Sequence, residues 1–244
     1  MKSIVLAAGY ATRLYPLTEN FPKPLLEIGG ITLLDRLIKD IDLNDDVDQH
    51  FIVCNQKFLY HFEKWLELSR YTKKITLIND GSIDNENRLG AVRDLLLAIQ
   101  LERLQDDLLV VAADNLVNFS FQGFVDFFKK KQTSLIMTYD EPDLTALRRT
   151  GVITMNWENR VLDMQEKPEN PKSHWAVPPF YIYKKNDTNL IQKCVDEGCP
   201  TDAPGHLAKS MLQMTPFHAW PMPGKRYDIG TLETYNLLME FYQY

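Results

Sequence analysis

The alternation of short apolar runs with longer amphipathic ones is the feature that most narrows how this chain can fold. Residues 3–7, 50–54, 75–78 and 108–113 are short and apolar, and residues 32–42, 58–69 and 89–100 between them are longer and amphipathic. This strand–helix rhythm predicts parallel strands joined by crossover helices. Strands buried on both faces of such a sheet read as near-continuous apolar stretches, so Ile4-Val5-Leu6-Ala7 and Leu108-Leu109-Val110-Val111 belong at its centre. The expected fold class is α/β, a doubly wound sheet flanked by helices. The chain has 244 residues, 45% of them hydrophobic, and shows no repeat or linker, so one domain over 1–244 is expected.

The pattern changes after Tyr139. Residues 151–155 and 161–165 flank Glu158-Asn159 as the strands of a hairpin would, and residues 175–183 can extend the sheet. Residues 190–197 read as a helix, Pro204 stands near the start of another, and residues 231–242 read as a closing helix capped by Thr231.

A formal net charge of -6 gives no global field for nucleic acid or an anionic membrane, so a phosphate ligand must be held by local basic groups. That favours a small anionic substrate. Cys54, Cys194 and Cys199 lack zinc-ligand spacing and read as free buried thiols, which fits a reducing cytoplasm. The run 3–8 is too short for a signal peptide, and no apolar stretch nears the roughly 20 residues of a membrane span. A homo-oligomer is compatible with this composition.

The first strand runs into Ala7-Ala8-Gly9-Tyr10-Ala11-Thr12-Arg13-Leu14, followed by Pro16-Leu17-Thr18 and Pro22-Lys23-Pro24. Small residues directly after a strand let backbone N–H groups approach a ligand, and Arg13 and Lys23 supply a guanidinium fork and a point charge for phosphate oxygens. Neither GxxxxGK[ST] nor GxGxxG is present.

The full string from Leu6 to Pro24, LAAGYATRLYPLTENFPKP, resembles the G-x-G-T-R-L-x-P-L-T…P-K-P signature of the sugar-phosphate nucleotidyltransferase family, which includes glucose-1-phosphate thymidylyl- and uridylyltransferases. The resemblance implies a Rossmann-like nucleotidyltransferase fold with a mixed, mostly parallel sheet. It sets Arg13 and Lys23 on a triphosphate and Ala7, Ala8 and Gly9 against base and ribose. Residues 1–139 would then be mainly nucleotide-binding and 140–244 mainly an acceptor-binding extension. Ala8 and Ala11 stand where the family usually has glycine.

Transfer at an α-phosphate builds negative charge that a carboxylate-held Mg²⁺ neutralises with one or two protein ligands. Asp114 follows the apolar strand 110–113, and Asp228 lies between a short strand and the last helix. By resemblance to the family's G-D and D-I/T-G-T segments, both are metal ligands. Gln165-Glu166-Lys167-Pro168 resembles its E-K-P element, with Lys167 on the acceptor phosphate and Glu166 on acceptor hydroxyls. His174 to Tyr181, including Trp175, resembles the strand passing the sugar, with Pro179 near a usual glycine. Gly90 resembles the glycine facing the base, and Asn85 can present an amide to its edge. Arg13, Lys23, Asp114, Lys167 and Asp228 are thus the catalytic set. The expected reaction joins the NMP of a pyrimidine NTP to a sugar 1-phosphate. The alternatives are CTP-dependent transfer to a small non-sugar phosphorylated acceptor, and a nucleotide-binding regulatory protein without turnover.

Overall fold

The computed structural model describes residues 1–242. Four parallel strands form the N-terminal part of the sheet: β1 (Lys2–Leu6), β4 (Gln49–Cys54), β5 (Lys74–Asn79) and β6 (Leu108–Ala112). Between β1 and β4 lie the small hairpin β2 (Glu27–Ile28) and β3 (Ile31–Thr32) and helix α1 (Leu33–Asp42). Helices α2 (Leu59–Leu68) and α3 (Ala91–Leu101) make the next two crossovers. The strands stand in the order β6-β1-β4-β5, so the winding direction reverses between β1 and β6. Open α/β sheets bind ligands at such a switch point, outside the carboxyl ends of the strands.

The rest of the chain widens the sheet. It adds β7 (Asn115–Val117), α4 (Gln122–Lys131), β8 (Ser134–Asp140), α5 (Leu144–Leu147), β9 (Gly151–Met155), β10 (Val161–Glu166), β11 (Trp175–Val177) and β12 (Phe180–Tyr183). It ends with α6 (Thr188–Asp196), α7 (Pro204–Met211), β13 (Phe217–Pro221), β14 (Arg226–Asp228) and α8 (Leu232–Phe241). The sheet order is β10-β9-β11-β8-β12-β6-β1-β4-β5, with β13 parallel to β8 and with β10, β11 and β12 antiparallel to their neighbours. This is the α/β, mixed and mostly parallel sheet expected from the sequence.

Both sheet faces are covered, which explains the unbroken apolar strands. Ile4, Val53, Leu108 and Val110 pack on one face with Val92 and Leu95 of α3, and Val5, Ile52, Leu109 and Val111 pack on the other with Leu34, Ile38 and Phe124. Local sequence fixes several boundaries. Thr32 caps α1 by accepting the Asp35 N–H at 2.9 Å, Pro204 opens α7, and Thr231 caps α8 by accepting the Thr234 N–H at 3.2 Å. Among the described residues no helix is long and apolar enough to cross a membrane. All three cysteines are buried and free.

Candidate active site

At the switch point the chain leaves β1 through a tight loop. The Ala7 N–H donates to Val53 O at 2.8 Å, and the buried Asn55 side chain donates to Ala8 O at 2.9 Å, so β4 holds the loop at two points. Ala11 adopts φ 47° and ψ 42°, a left-handed conformation that costs a residue with a Cβ roughly 1–2 kcal/mol. Thr18 donates to Ala11 O at 2.8 Å and holds that conformation. The usual glycine at this place is thus replaced at a steric cost, and the loop still turns.

The loop forms one wall of a cleft of about 460 Å³. Ala7, Ala8, Gly9, Arg13, Lys23, Asn85, Gly90 and Asp114 all line it, as does the Ile229-Gly230 segment next to Asp228. The two aspartates arrive from distant parts of the chain. Asp114 follows β6 directly, and the antiparallel β7–β14 pair sets Asp228 opposite Asn115. Lys23, almost fully buried, points its ammonium at both: Nζ is 2.9 Å from Asp114 Oδ2 and 3.8 Å from Asp228 Oδ1. Arg13 lies beside Gly230, where a Cβ would come within 3.3 Å of its Nη2.

A second layer orients Asp114. Asn115 Nδ2 donates to Asp114 Oδ1 at 2.7 Å, and Arg226 Nη1 donates to Asn115 Oδ1 at 2.6 Å. Burial works to raise the Asp114 pKa, but the Lys23 ammonium with its hydrogen bond, and the Arg226 charge, together hold the carboxyl group below the usual range. Asp114 is therefore an anion throughout the neutral range. Two hard carboxylates aimed at one cationic point fit Mg²⁺, whose remaining ligands are phosphates and water.

The acceptor residues are less tightly gathered. Lys167 borders a neighbouring hollow with Arg148 and Glu169, and its Nζ is 3.9 Å from Asp202 Oδ2, a residue that lines the cleft. Glu166 is half-buried against two glycines: a Cβ on Gly205 would meet its Oε2 at 1.8 Å and one on Gly151 at 3.1 Å. Burial raises the Glu166 pKa, partly offset by the charges of His206 and Lys167. Trp175 packs against the apolar face beneath α6 and α7, tilts against His174 with ring centroids 5.1 Å apart, and borders a separate hollow with Tyr139 and Arg226. It lies in β11, paired with Asp140 and Ile153, and is not among the described residues that line the cleft.

Sequence reasoning missed Asn55, Asn115, Arg226 and Asp94. Only the last left a local signal, a carboxylate on the apolar face of α3. Burial, with Asp80 nearby, pushes Asp94 up to about 7. A carboxyl group at 3.8 when unfolded and about 7 when folded takes up a proton on folding between those values, so the native state loses stability as pH rises through that window. Asp94→Asn has nothing to ionise and is expected to flatten this part of the curve of Tm against pH. Wild-type and variant curves that run parallel from about pH 4 to 8 would rule the effect out.

Fold and cleft together define an α/β protein with a switch-point site where basic loop residues meet paired carboxylates. A model of the nucleotidyl transferase family matches residues 2–243, and the chain belongs to that family. It is 31% identical over 213 residues to the bifunctional protein GlmU of Methanocaldococcus jannaschii, covering 86% of this chain and 47% of that protein. It is 25% identical over 244 residues to a glucose-1-phosphate adenylyltransferase of Fervidobacterium nodosum, covering 95% and 59%. The chain thus spans about half the length of the curated relatives it matches. A UDP-glucose pyrophosphorylase structure complexed with UDP-glucose shares the fold at a TM-score of 0.83 and 21% identity, covering 99% of this chain and 98% of that one.

Proposed function

We propose that this chain is a nucleotidyltransferase that moves the NMP part of a nucleoside triphosphate onto a sugar 1-phosphate. The observation that carries the reading is the meeting of Lys23 with Asp114 and Asp228, at 2.9 and 3.8 Å, on a cleft lined by Arg13. An acceptor phosphate oxygen attacks the α-phosphorus in line, the bond from that phosphorus to the β-bridging oxygen breaks, and pyrophosphate leaves with the electron pair. No nucleophilic side chain is required. Arg13 and Lys23 hold the triphosphate, and the Ala7-Ala8-Gly9 turn meets base and ribose. Gly90 and Asn85 border the base, Lys167 draws in the acceptor phosphate, and Glu166 accepts hydrogen bonds from the acceptor body.

Asp114 and Asp228 would hold Mg²⁺, which supplies charge neutralisation at the α-phosphate and the leaving group. In this reading residues 1–139 mainly serve the nucleotide and 140–244 the acceptor, within one domain. The pyrimidine expected from the sequence rests on resemblance alone, and the relative named for adenylyl transfer widens the range of donors. A small non-sugar phosphorylated acceptor is the second reading. Pro179 favours it, because its ring lines the cleft near a place where glycine is usual. Buried free thiols support a cytoplasmic location.

The test is a matrix of ATP, GTP, CTP, UTP and dTTP against glucose 1-phosphate, glucosamine 1-phosphate, mannose 1-phosphate and phosphocholine, with magnesium, read by pyrophosphate release. At least one sugar 1-phosphate is expected to give acceptor-dependent release. Release with phosphocholine alone would move the conclusion to the second reading, and none with any pair would sink both.

A further inference from the structure

Helix α3 turns Val92, Leu95, Leu96 and Ala98 toward the sheet, and Asp94 lies among them at only 6% exposure. A carboxyl group on such a face costs folding free energy unless something in the protein answers it. Nothing does: its Oδ1 is buried and has no hydrogen-bond partner. The charge that acts on it is the carboxylate of Asp80, which has the wrong sign to help. Asp94 nevertheless lines the cleft, as do Leu6 at the end of β1, Ala8 of the loop that follows, and Ala91 at the head of its own helix. It is the one buried, unanswered side-chain acceptor among the cleft-lining residues described.

The cleft it lines also carries Leu6, Ala8, Ala91 and Ala112, small or apolar groups that suit the flat face of a nucleobase better than a sugar ring with hydroxyls on every side. Gly90, whose O accepts the Asp94 N–H at 3.0 Å, and Asn85 line the same cleft, and both are proposed above to border the base. A base meets a carboxyl group best through an exocyclic amino group, as in cytosine, adenine and guanine. Uracil and thymine present carbonyl oxygens on both sides of their single N–H, so above the Asp94 pKa, where the group is ionised and only accepts, one oxygen faces another.

We propose that Asp94 is a specificity-determining residue that accepts a hydrogen bond from the exocyclic amino group of the donor nucleotide's base. The chain thereby selects an amino-bearing base over uracil and thymine. This inference rests on the proposed function and deepens it. Asp94 acts on binding and takes no part in bond making.

The test titrates wild type, Asp94→Asn and Asp94→Ala with ATP, GTP, CTP, UTP and dTTP by calorimetry, with magnesium present and no acceptor. Wild type is expected to bind at least one of the first three about tenfold or more tighter than UTP and dTTP. Asp94→Asn, which presents an amide donor, should shrink that ratio at least about fivefold by gaining affinity for UTP or dTTP. Asp94→Ala should lose the preference without that gain. Thermal unfolding of the three proteins checks that each is folded, and Asp94→Ala alone suffices for the test if the amide variant does not fold. Equal wild-type affinity for UTP and the amino-bearing nucleotides, or ratios unchanged within twofold in the variants, would overturn the assignment of Asp94 alone. Failure of all five nucleotides to bind would overturn the proposed reaction and this assignment with it.

Discussion

Asp228→Asn is expected to lower turnover by about a hundredfold to a thousandfold while leaving the protein folded. The magnitude follows from what a metal-held carboxylate does in phosphoryl transfer: charge stabilisation of several kcal/mol, at about 1.4 kcal/mol per factor of ten. The fold should survive because Asp228 is half-exposed and its distance to Lys23 is 3.8 Å, whereas the tighter Lys23–Asp114 pair at 2.9 Å is untouched. The amide keeps the size of the side chain and removes its charge, so Lys23 is left with one counter-ion. A magnesium titration of turnover, alongside direct Mn²⁺ binding, separates a weakened metal from a general loss of structure. Turnover within about threefold of wild type at ordinary magnesium would remove Asp228 from the site.

Gly90→Ala is the substitution expected to harm stability most. Gly90 has φ +89°, and a Cβ there would lie 2.5 Å from Thr201 O, 2.9 Å from Thr201 C and 3.1 Å from Asp202 Cα. All three neighbours are backbone atoms, so no rotamer change relieves the clash. The segment 201–202 must move, and with it the 3.0 Å hydrogen bond from the Val92 N–H to Thr201 O that ties the start of α3 to the acceptor side. The left-handed penalty of roughly 1–2 kcal/mol plus the displaced backbone gives a loss of about 3 kcal/mol or more, or roughly 6–12 °C in Tm for a chain of this size. Nucleotide affinity should fall as well, since Gly90 and Asp202 both line the cleft. A Tm within about 2 °C of wild type would show that the close approach is not a constraint.

Much of the architecture was legible because β1, β4 and β6 are buried on both faces and β1, β4, β5 and β6 are joined by helices, so their local pattern and their place in the sheet agree. The loop after β1 was legible for a different reason. Its string is long enough for Arg13 and Lys23 to be assigned by family resemblance, and the cleft gathers both with Asp114. What the pattern hid depends on pairings distant in sequence. Strand β12 enters antiparallel between β6 and β8, and β11 between β8 and β9, and nothing in the apolar alternation of Phe180–Tyr183 announces those neighbours. Gly90 was matched to a glycine facing the base, and a further demand on it, the close approach of the Thr201 backbone 111 residues away in sequence, is visible only in three dimensions. Asn115 and Arg226 escaped notice because their partnership is made by the β7–β14 pair, three residues long in each strand.

That short pairing also governs when the site comes into being. Synthesis is vectorial, and the segment carrying Asp228 leaves the ribosome roughly ten seconds after the one carrying Asp114, at usual elongation rates. Through that interval a nascent chain has the phosphate loop, β1 and β6, yet lacks the strand that zips to β7 and delivers the second carboxylate. Lys23 meanwhile has Asp114 as its one acidic neighbour. Assembly of the carboxylate pair is therefore a late event in the birth of the protein, and an interrupted chain is born without it.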